Sequence, residues 1–126
     1  MELIIGGAFQ GKLNYARELY PYVVWVDAKS CTLEEMCQIP GIFNLHLFIK
    51  RQIMEGKDIS KLADILTEKN PDMIIISDEV GYGVVPMSTF DRAYREGVGR
   101  VCTKLAEKSS KVTRVICGIG TVIKGE

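Results

Sequence analysis

Three short apolar runs constrain this chain more than anything else in it: Leu3-Ile4-Ile5, Tyr22-Val23-Val24-Trp25-Val26 and Met73-Ile74-Ile75-Ile76. Each is continuous rather than alternating, the pattern of a strand covered on both faces, as in a parallel sheet. Parallel strands need long crossovers, and the stretches between the runs read as helices. Lys12 to Leu19 can form one that stops before Pro21. Thr32 and Glu35 make a capping box for a brief helical turn as far as Met36. Gly41 to Gln52 (GIFNLHLFIKRQ) is apolar on most sides and reads as a helix that is deeply buried or faces a partner subunit. Asp58 can cap a further helix, in which Ile59, Leu62, Ala63 and Leu66 share a face, ended by Asn70-Pro71.

Ser77 to Pro86 reads as a loop. Ser88, three residues before Asp91, opens the longest helix, along which Phe90, Tyr94, Val98, Val101 and Leu105 recur at helical intervals. Arg114 to Cys117 and Thr121 to Lys124 make two final strands separated by Gly118-Ile119-Gly120. That connection is too short for a parallel crossover, so the pair is expected to be antiparallel. With 126 residues, the chain is of ordinary single-domain size, and one domain over 1–126 is expected.

Composition narrows the function classes. Hydrophobic residues make up 47% and charged residues 25%, the balance of a globular protein. Basic and acidic residues number 16 each, so no basic excess points to nucleic acid or an anionic membrane. No run approaches the roughly 18 apolar residues of a membrane span. A net charge near zero favours self-association. The N-terminus reads as a strand entering a turn rather than as a secretory leader, so a cytoplasmic protein with reduced thiols is expected. Cys31, Cys37, Cys102 and Cys117 form no C-x-x-C pair, and His46 is the single histidine. The cysteines read as small buried hydrophobes, and a structural metal is not expected.

The chemistry is concentrated in Gly6-Gly7-Ala8-Phe9-Gln10-Gly11-Lys12, which fits G-x-x-x-x-G-K between a strand and a helix. Glycines let backbone N–H groups curl around a phosphate, and the helix N-terminus adds its positive dipole end. The lysine supplies a point charge for the outer phosphates. The plain alternative is a glycine-rich strand–helix turn with an incidental lysine. The phosphate reading gives a P-loop NTPase-like three-layer α/β fold, mostly parallel with an antiparallel C-terminal pair. Leu13 stands where such loops carry the Ser or Thr hydroxyl that ligates Mg²⁺. Asp27, ending the second apolar run, is placed either to hold Mg²⁺ through water or simply to start a turn. Asp78-Glu79, after the third run, is a second acidic candidate, and all these groups would converge beyond the carboxyl ends of the strands. His46 lines up with Ile42, Ile49 and Ile53 as a core or interface histidine rather than a catalytic one. Arg95 and Arg100 could reach a phosphate or lie on a solvated helix face.

The stretch Glu79-Val80-Gly81-Tyr82-Gly83-Val84-Val85-Pro86, taken with the Gly6-to-Lys12 loop, resembles the bifunctional adenosylcobinamide kinase/adenosylcobinamide-phosphate guanylyltransferase family of cobalamin biosynthesis. That family carries G-G-A-x-x-G-K-S near its start, N-E-V-G-x-G-I-V-P after a central strand, a helix with F-R-x-x-x-G-R-V-N, and a final strand pair around S-G-I. The corresponding pieces here, in the same order, are Gly6-Gly7-Ala8, Gly11-Lys12, Glu79 to Pro86, Tyr94-Arg95 with Gly99-Arg100-Val101, and Cys117-Gly118-Ile119. The resemblance implies a nucleotide-binding protein taking ATP or GTP and assembling as a trimer. It implies phosphorylation of a corrinoid hydroxyl and GMP transfer through a guanylylated histidine. Gly6, Gly7, Ala8, Phe9, Gln10, Gly11, Lys12 and Leu13 would line the phosphate. Lys12 and Glu79 would be catalytic, and Asp27 would match the metal-binding acid.

The departures matter as much. Family members are longer between the second strand and Gly41, where they carry the guanylylated histidine in a H-x-x-x-R-P-x-x-W context that His46 lacks. Leu13 replaces the Mg²⁺ ligand, Asp78 the family Asn, and Cys102 another Asn. The resemblance thus implies either a reduced enzyme or a noncatalytic relative acting as a binding or assembly module.

Overall fold

The computed structural model describes residues 1–80 and 88–125. The part of the E-V-G-x-G-V-V-P stretch from Gly81 to Pro86 lies outside the described residues. Strand β1 (Glu2–Gly6) leads into helix α1 (Lys12–Leu19), followed by β2 (Trp25–Asp27), a 3₁₀ turn (Ala28–Ser30) and α2 (Leu33–Met36). Then come β3 (Gly41–Phe43), α3 (Leu45–Met54), α4 (Leu62–Lys69) and β4 (Ile74–Asp78). The chain closes with α5 (Thr89–Lys108), β5 (Lys111–Ile116) and β6 (Ile119–Lys124).

The six strands form one sheet in the order β2-β3-β4-β1-β5-β6, parallel throughout except for the antiparallel β5–β6 pair. Alternate residues of the buried strands serve opposite faces. Ile4, Ile74, Ile76 and Val115 pack with Ala16 of α1 on one side. Leu3, Ile42, Ile75 and Val112 pack with α3, α4 and α5 on the other, through Leu45, Phe48, Ile49, Leu66, Val98 and Leu105. The result is a three-layer α/β fold of the P-loop NTPase-like kind. Neighbouring strands β1 and β4 send their following helices to opposite faces, so a crevice opens between their carboxyl ends.

Local signals are confirmed where neighbours in sequence are also partners in space. The Thr32 hydroxyl accepts from Glu35 N–H and the Glu35 carboxylate from Thr32 N–H, both at 3.1 Å. Ser88 Oγ accepts from Asp91 N–H at 3.0 Å and starts α5.

Five expectations are corrected. Gly41–Phe43 is a strand, not the start of a helix, because it fills the slot between β2 and β4. A Cβ at Gly41 would stand 2.6 Å from Val23 Cγ1 and 2.8 Å from the Trp25 ring. Asn44, at φ 62, turns the chain from this strand into α3, a left-handed conformation that Asn tolerates. Strand β2 begins only at Trp25, leaving Tyr22 and Val24 exposed. Asp58 does not cap α4: its carboxylate accepts from Ser60 N–H at 2.9 Å and Oγ at 3.0 Å, and the helix starts at Leu62. Finally, β4 continues through Ser77 and Asp78, and the last hairpin turns on two residues, Cys117 (φ 52) and Gly118 (φ 76). Positive φ at both positions matches the twist of the flanking strands.

Candidate functional site

The crevice beside β1 is built by the glycine loop. Gly6 has no room for a side chain, since a Cβ there would sit 2.4 Å from the Val115 carbonyl oxygen. Phe9 (φ 61) and Gly11 (φ 83) bend the backbone so that α1 begins at Lys12. Helix α1 has neither a side-chain cap nor an acidic residue in its first turn. Its leading N–H groups therefore lack both an intrahelical acceptor and a side-chain one. Gln10 ties the loop to the β5–β6 turn: its Oε1 accepts from Cys117 N–H and its carbonyl from Gly118 N–H, both at 2.7 Å.

Lys12 is only 7% exposed. Its Nζ donates to the Gly7 carbonyl at 2.7 Å and lies 2.6 Å from Asp78 Oδ1. Asp78 is placed there by strand register, opposite Gly6 across the β1–β4 pair. A buried ammonium needs such a partner, because an unpaired charge in a nearly dry site is strongly unfavourable.

His46, at the start of α3, holds the same carboxylate from the other side. Its Nδ1 accepts from Asp78 N–H at 3.1 Å, and its Nε2 lies 3.3 Å from Asp78 Oδ2. With Nδ1 as acceptor, the ring proton sits on Nε2, the tautomer that faces the carboxylate. Burial pushes the imidazole below its ordinary range, against the opposing pull of Asp78. The core placement expected of His46 is correct, but Ile42 is not on its helix, and its bonds to Asp78 went unforeseen. The available signal was an acid directly after a buried strand and a lysine whose burial demands one.

A cavity of about 290 Å³ opens at this point, lined by Gln10, Lys12, Phe43, Asn44, Ile76 and Asp78 among others. Leu13 also borders this cavity, whereas Asp27 and the Glu79 carboxylate are engaged elsewhere. Leu13 packs against the α1-side core. Asp27 ends β2, three strands from β1, and its Oδ1 accepts from Lys29 N–H at 2.9 Å and Asn44 Nδ2 at 3.1 Å. Glu79 donates its N–H to Gly6 O at 2.8 Å, but its carboxylate takes Arg114 Nε and Nη2, both at 3.2 Å. It borders a second cavity of about 480 Å³, between α5 and the sheet, with Leu3, Val98, Cys102 and Val112. Arg95 and Arg100 pair along α5 with Asp91 and Glu96. Of the cysteines, Cys31 is buried, Cys37 and Cys102 are half-buried, and Cys117 is exposed, contrary to the expectation that all four are buried.

Residues 39–123 match the family described as cobinamide kinase / cobinamide phosphate guanyltransferase. The matched span starts after the glycine loop. The bifunctional adenosylcobalamin biosynthesis protein CobP of Pseudomonas aeruginosa is 31% identical over 100 residues, covering 79% of this chain and 57% of that protein. The bifunctional adenosylcobalamin biosynthesis protein CobU of Escherichia coli is 40% identical over 52 residues, 41% of this chain and 29% of that protein. Its Salmonella typhimurium counterpart is 38% identical over 52 residues, again 41% and 29%. The chain thus spans little more than half of the first relative's length. Among the described residues, no helix is long and apolar enough to cross a membrane.

Proposed function

This chain belongs to the cobinamide kinase / cobinamide phosphate guanyltransferase family, and we infer that it binds a nucleoside triphosphate, ATP or GTP, in the glycine loop. One observation carries this reading: Lys12 holds a buried cation at the mouth of a loop whose helix N-terminus has no side-chain cap. A triphosphate would cap that helix end and take over Lys12 from its present partner, the Asp78 carboxylate. Gly6 to Gly11 provide the backbone cradle, and Lys12 turns from Gly7 O and Asp78 to the outer phosphates.

Mg²⁺ that accompanies such a nucleotide takes few protein ligands, commonly one or two carboxylates beside the phosphates. Among the described residues no cluster of three or more His, Cys, Asp or Glu could hold a metal alone. Leu13 offers no oxygen, and Asp27 is engaged three strands away. Asp78 is the carboxylate that fits. A bound cation there would neutralise phosphate charge, while Lys12 orients the terminal phosphoryl group.

Phosphorylation of a corrinoid hydroxyl remains the kinase form of this function. The guanylyl-transfer form is not supported, since both ring nitrogens of His46 are committed to Asp78. A noncatalytic binding role is favoured by Leu13, whose side chain belongs to the core where a metal hydroxyl is needed. Self-association is proposed through β6 and its turn, where Ile116, Ile119, Val122 and Ile123 are exposed. The Gly41–Gln52 stretch is instead used inside the protomer's own core, through Ile42, Leu45, Phe48 and Ile49.

The test is calorimetric titration of ATP and GTP, with and without Mg²⁺, into wild type and Lys12→Ala. Binding that disappears in the variant supports the proposal; no binding by wild type at millimolar nucleotide refutes it.

A further inference from the structure

We propose that the cavity between α5 and the sheet is a binding site for a small uncharged aliphatic alcohol, its chain lying along α5 and its hydroxyl meeting Glu79. This site does not rest on the nucleotide reading, and its ligand is of a different class from the corrinoid of the kinase form. The cavity holds about 480 Å³, inside the range of small-molecule sites. Val98, Cys102 and Ala106 line it from α5. Their four-residue spacing puts them on one helix face over a length of about 12 Å. The opposite wall is the sheet, where Leu3 and Val112 stand side by side in the β1–β5 register. A close-packed interior leaves few voids larger than a water molecule, so an apolar hollow of this size is room for a ligand's body. Cys102 stands where the related family carries Asn, so the apolar wall is a property of this chain.

Charge and hydrogen bonding choose the head group. Asp78 and Glu79 form the acidic end of the cavity, and both carboxylates are already paired with cations. Asp78 Oδ1 faces Lys12 at 2.6 Å, and Oδ2 faces His46 at 3.3 Å. Arg114 sets both Nε and Nη2 on Glu79 Oε2 at 3.2 Å. Among the described residues, none donates to Glu79 Oε1. An ionised carboxylate oxygen only accepts, so the occupant must bring a donor. A hydroxyl brings one without charge. An ammonium also donates, but it arrives where the charges are already cancelled, and its desolvation is not offset. A carboxylate suits the site least, because it only accepts and meets two other carboxylates. Asp78 borders the cavity at Lys12 as well, so the hydroxyl stands beside the glycine loop.

The experiment is an NMR titration of the full chain with hexanol, hexylamine and hexanoate at neutral pH, without nucleotide, followed through amide shifts. Hexanol is expected to move the amides of Val98, Cys102 and Val112. It should bind at least about tenfold more tightly than hexanoate, with hexylamine between them. From butanol to hexanol, each methylene should tighten binding by up to about fourfold. Cys102→Phe fills the hollow with a ring and should weaken hexanol at least about tenfold. If that variant does not fold, Ala106→Leu fills it from the next turn and should weaken hexanol at least about threefold. Glu79→Gln keeps an oxygen acceptor and removes the charge, so hexanoate should gain and the preference for alcohol should fall below about threefold. Equal wild-type binding of hexanol and hexanoate overturns the proposal. So do shifts confined to another part of the surface, or hexanol binding unchanged in the filled variants. No hexanol binding, with self-association that Cys102→Phe weakens, would assign the cavity to a second copy of the chain and overturn the proposal too. None of these outcomes bears on whether a nucleotide binds at the glycine loop.

Discussion

The main-chain N–H of Cys117 donates to the side-chain oxygen of Gln10 at 2.7 Å, across 107 residues of sequence. With the neighbouring Gly118 N–H on the Gln10 carbonyl, also at 2.7 Å, the turn between β5 and β6 forms a wall of the glycine loop. Gln10→Ala keeps the second bond and removes the first. Because the lost bond is exposed to water, the expected destabilisation is about 0.5–1 kcal/mol, read as a shift in urea midpoint. Nucleotide affinity should fall by more than that loss accounts for, since the loop is less pre-organised. Unchanged affinity would show that the tie has no part in binding.

Two adjacent glycines should behave very differently. A Cβ at Gly6 meets the Val115 carbonyl oxygen at 2.4 Å, and that atom is main chain in the neighbouring strand. Gly6→Ala must push β1 away from β5, at a cost of about 1–3 kcal/mol. A Cβ at Gly7 meets only Gln10 Cγ at 3.7 Å, so Gly7→Ala is expected within about 0.5 kcal/mol of wild type. Parallel denaturation curves of the two variants check this, and equal losses would contradict it.

His46 links stability to pH. Burial lowers its proton affinity in the folded protein from an ordinary value of 6.5. The unfolded chain therefore takes up a proton that the folded chain refuses, and stability falls as pH drops through that value towards the folded one. It is the single histidine, so no other imidazole masks the effect. Urea midpoints from pH 7.5 to 5.5, without nucleotide or metal, should decline in wild type and run flatter in His46→Leu. Parallel slopes would rule His46 out as the cause.

The thiols should react in a fixed order. Cys117 is exposed at the turn, whereas Cys31 is buried and Cys102 half-buried, and burial pushes both of the latter thiols up. Thiolate is the reactive form, so a limiting alkylating reagent is expected to label Cys117 well before Cys31 or Cys102. Peptide mass mapping over time decides it; early labelling of Cys31 would mean that its cover opens readily.

Glycine spacing, the two buried runs and the caps at Thr32 and Ser88 were legible because each depends on near neighbours, whereas the cap expected of Asp58 closes on Ser60 instead. Thr32 finds Glu35 three residues on, Ser88 finds Asp91, and Lys12 follows Gly11 directly onto α1. The continuous runs at Leu3–Ile5 and Met73–Ile76 required a sheet covered on both faces whatever the rest of the chain did. A continuous run does not distinguish strand from buried helix, however, and Gly41–Phe43 shows the cost of that ambiguity. Only the sheet, by leaving a slot between β2 and β4, chose strand there.

The site divides in the same way. The sequence by itself determined that a lysine would stand at a glycine-rich loop between a strand and a helix. It also determined that acids would end nearby strands. Which acid met the lysine was a matter of strand order alone: β4 lies beside β1, so Asp78 reaches Lys12, while β2 lies at the sheet's far edge and takes Asp27 with it. His46 was legible as a buried residue and not as a partner of Asp78, because apolar periodicity reports burial only. A buried charge requires a counter-charge, but the identity of that partner is decided by packing between segments distant in sequence, which no local pattern encodes.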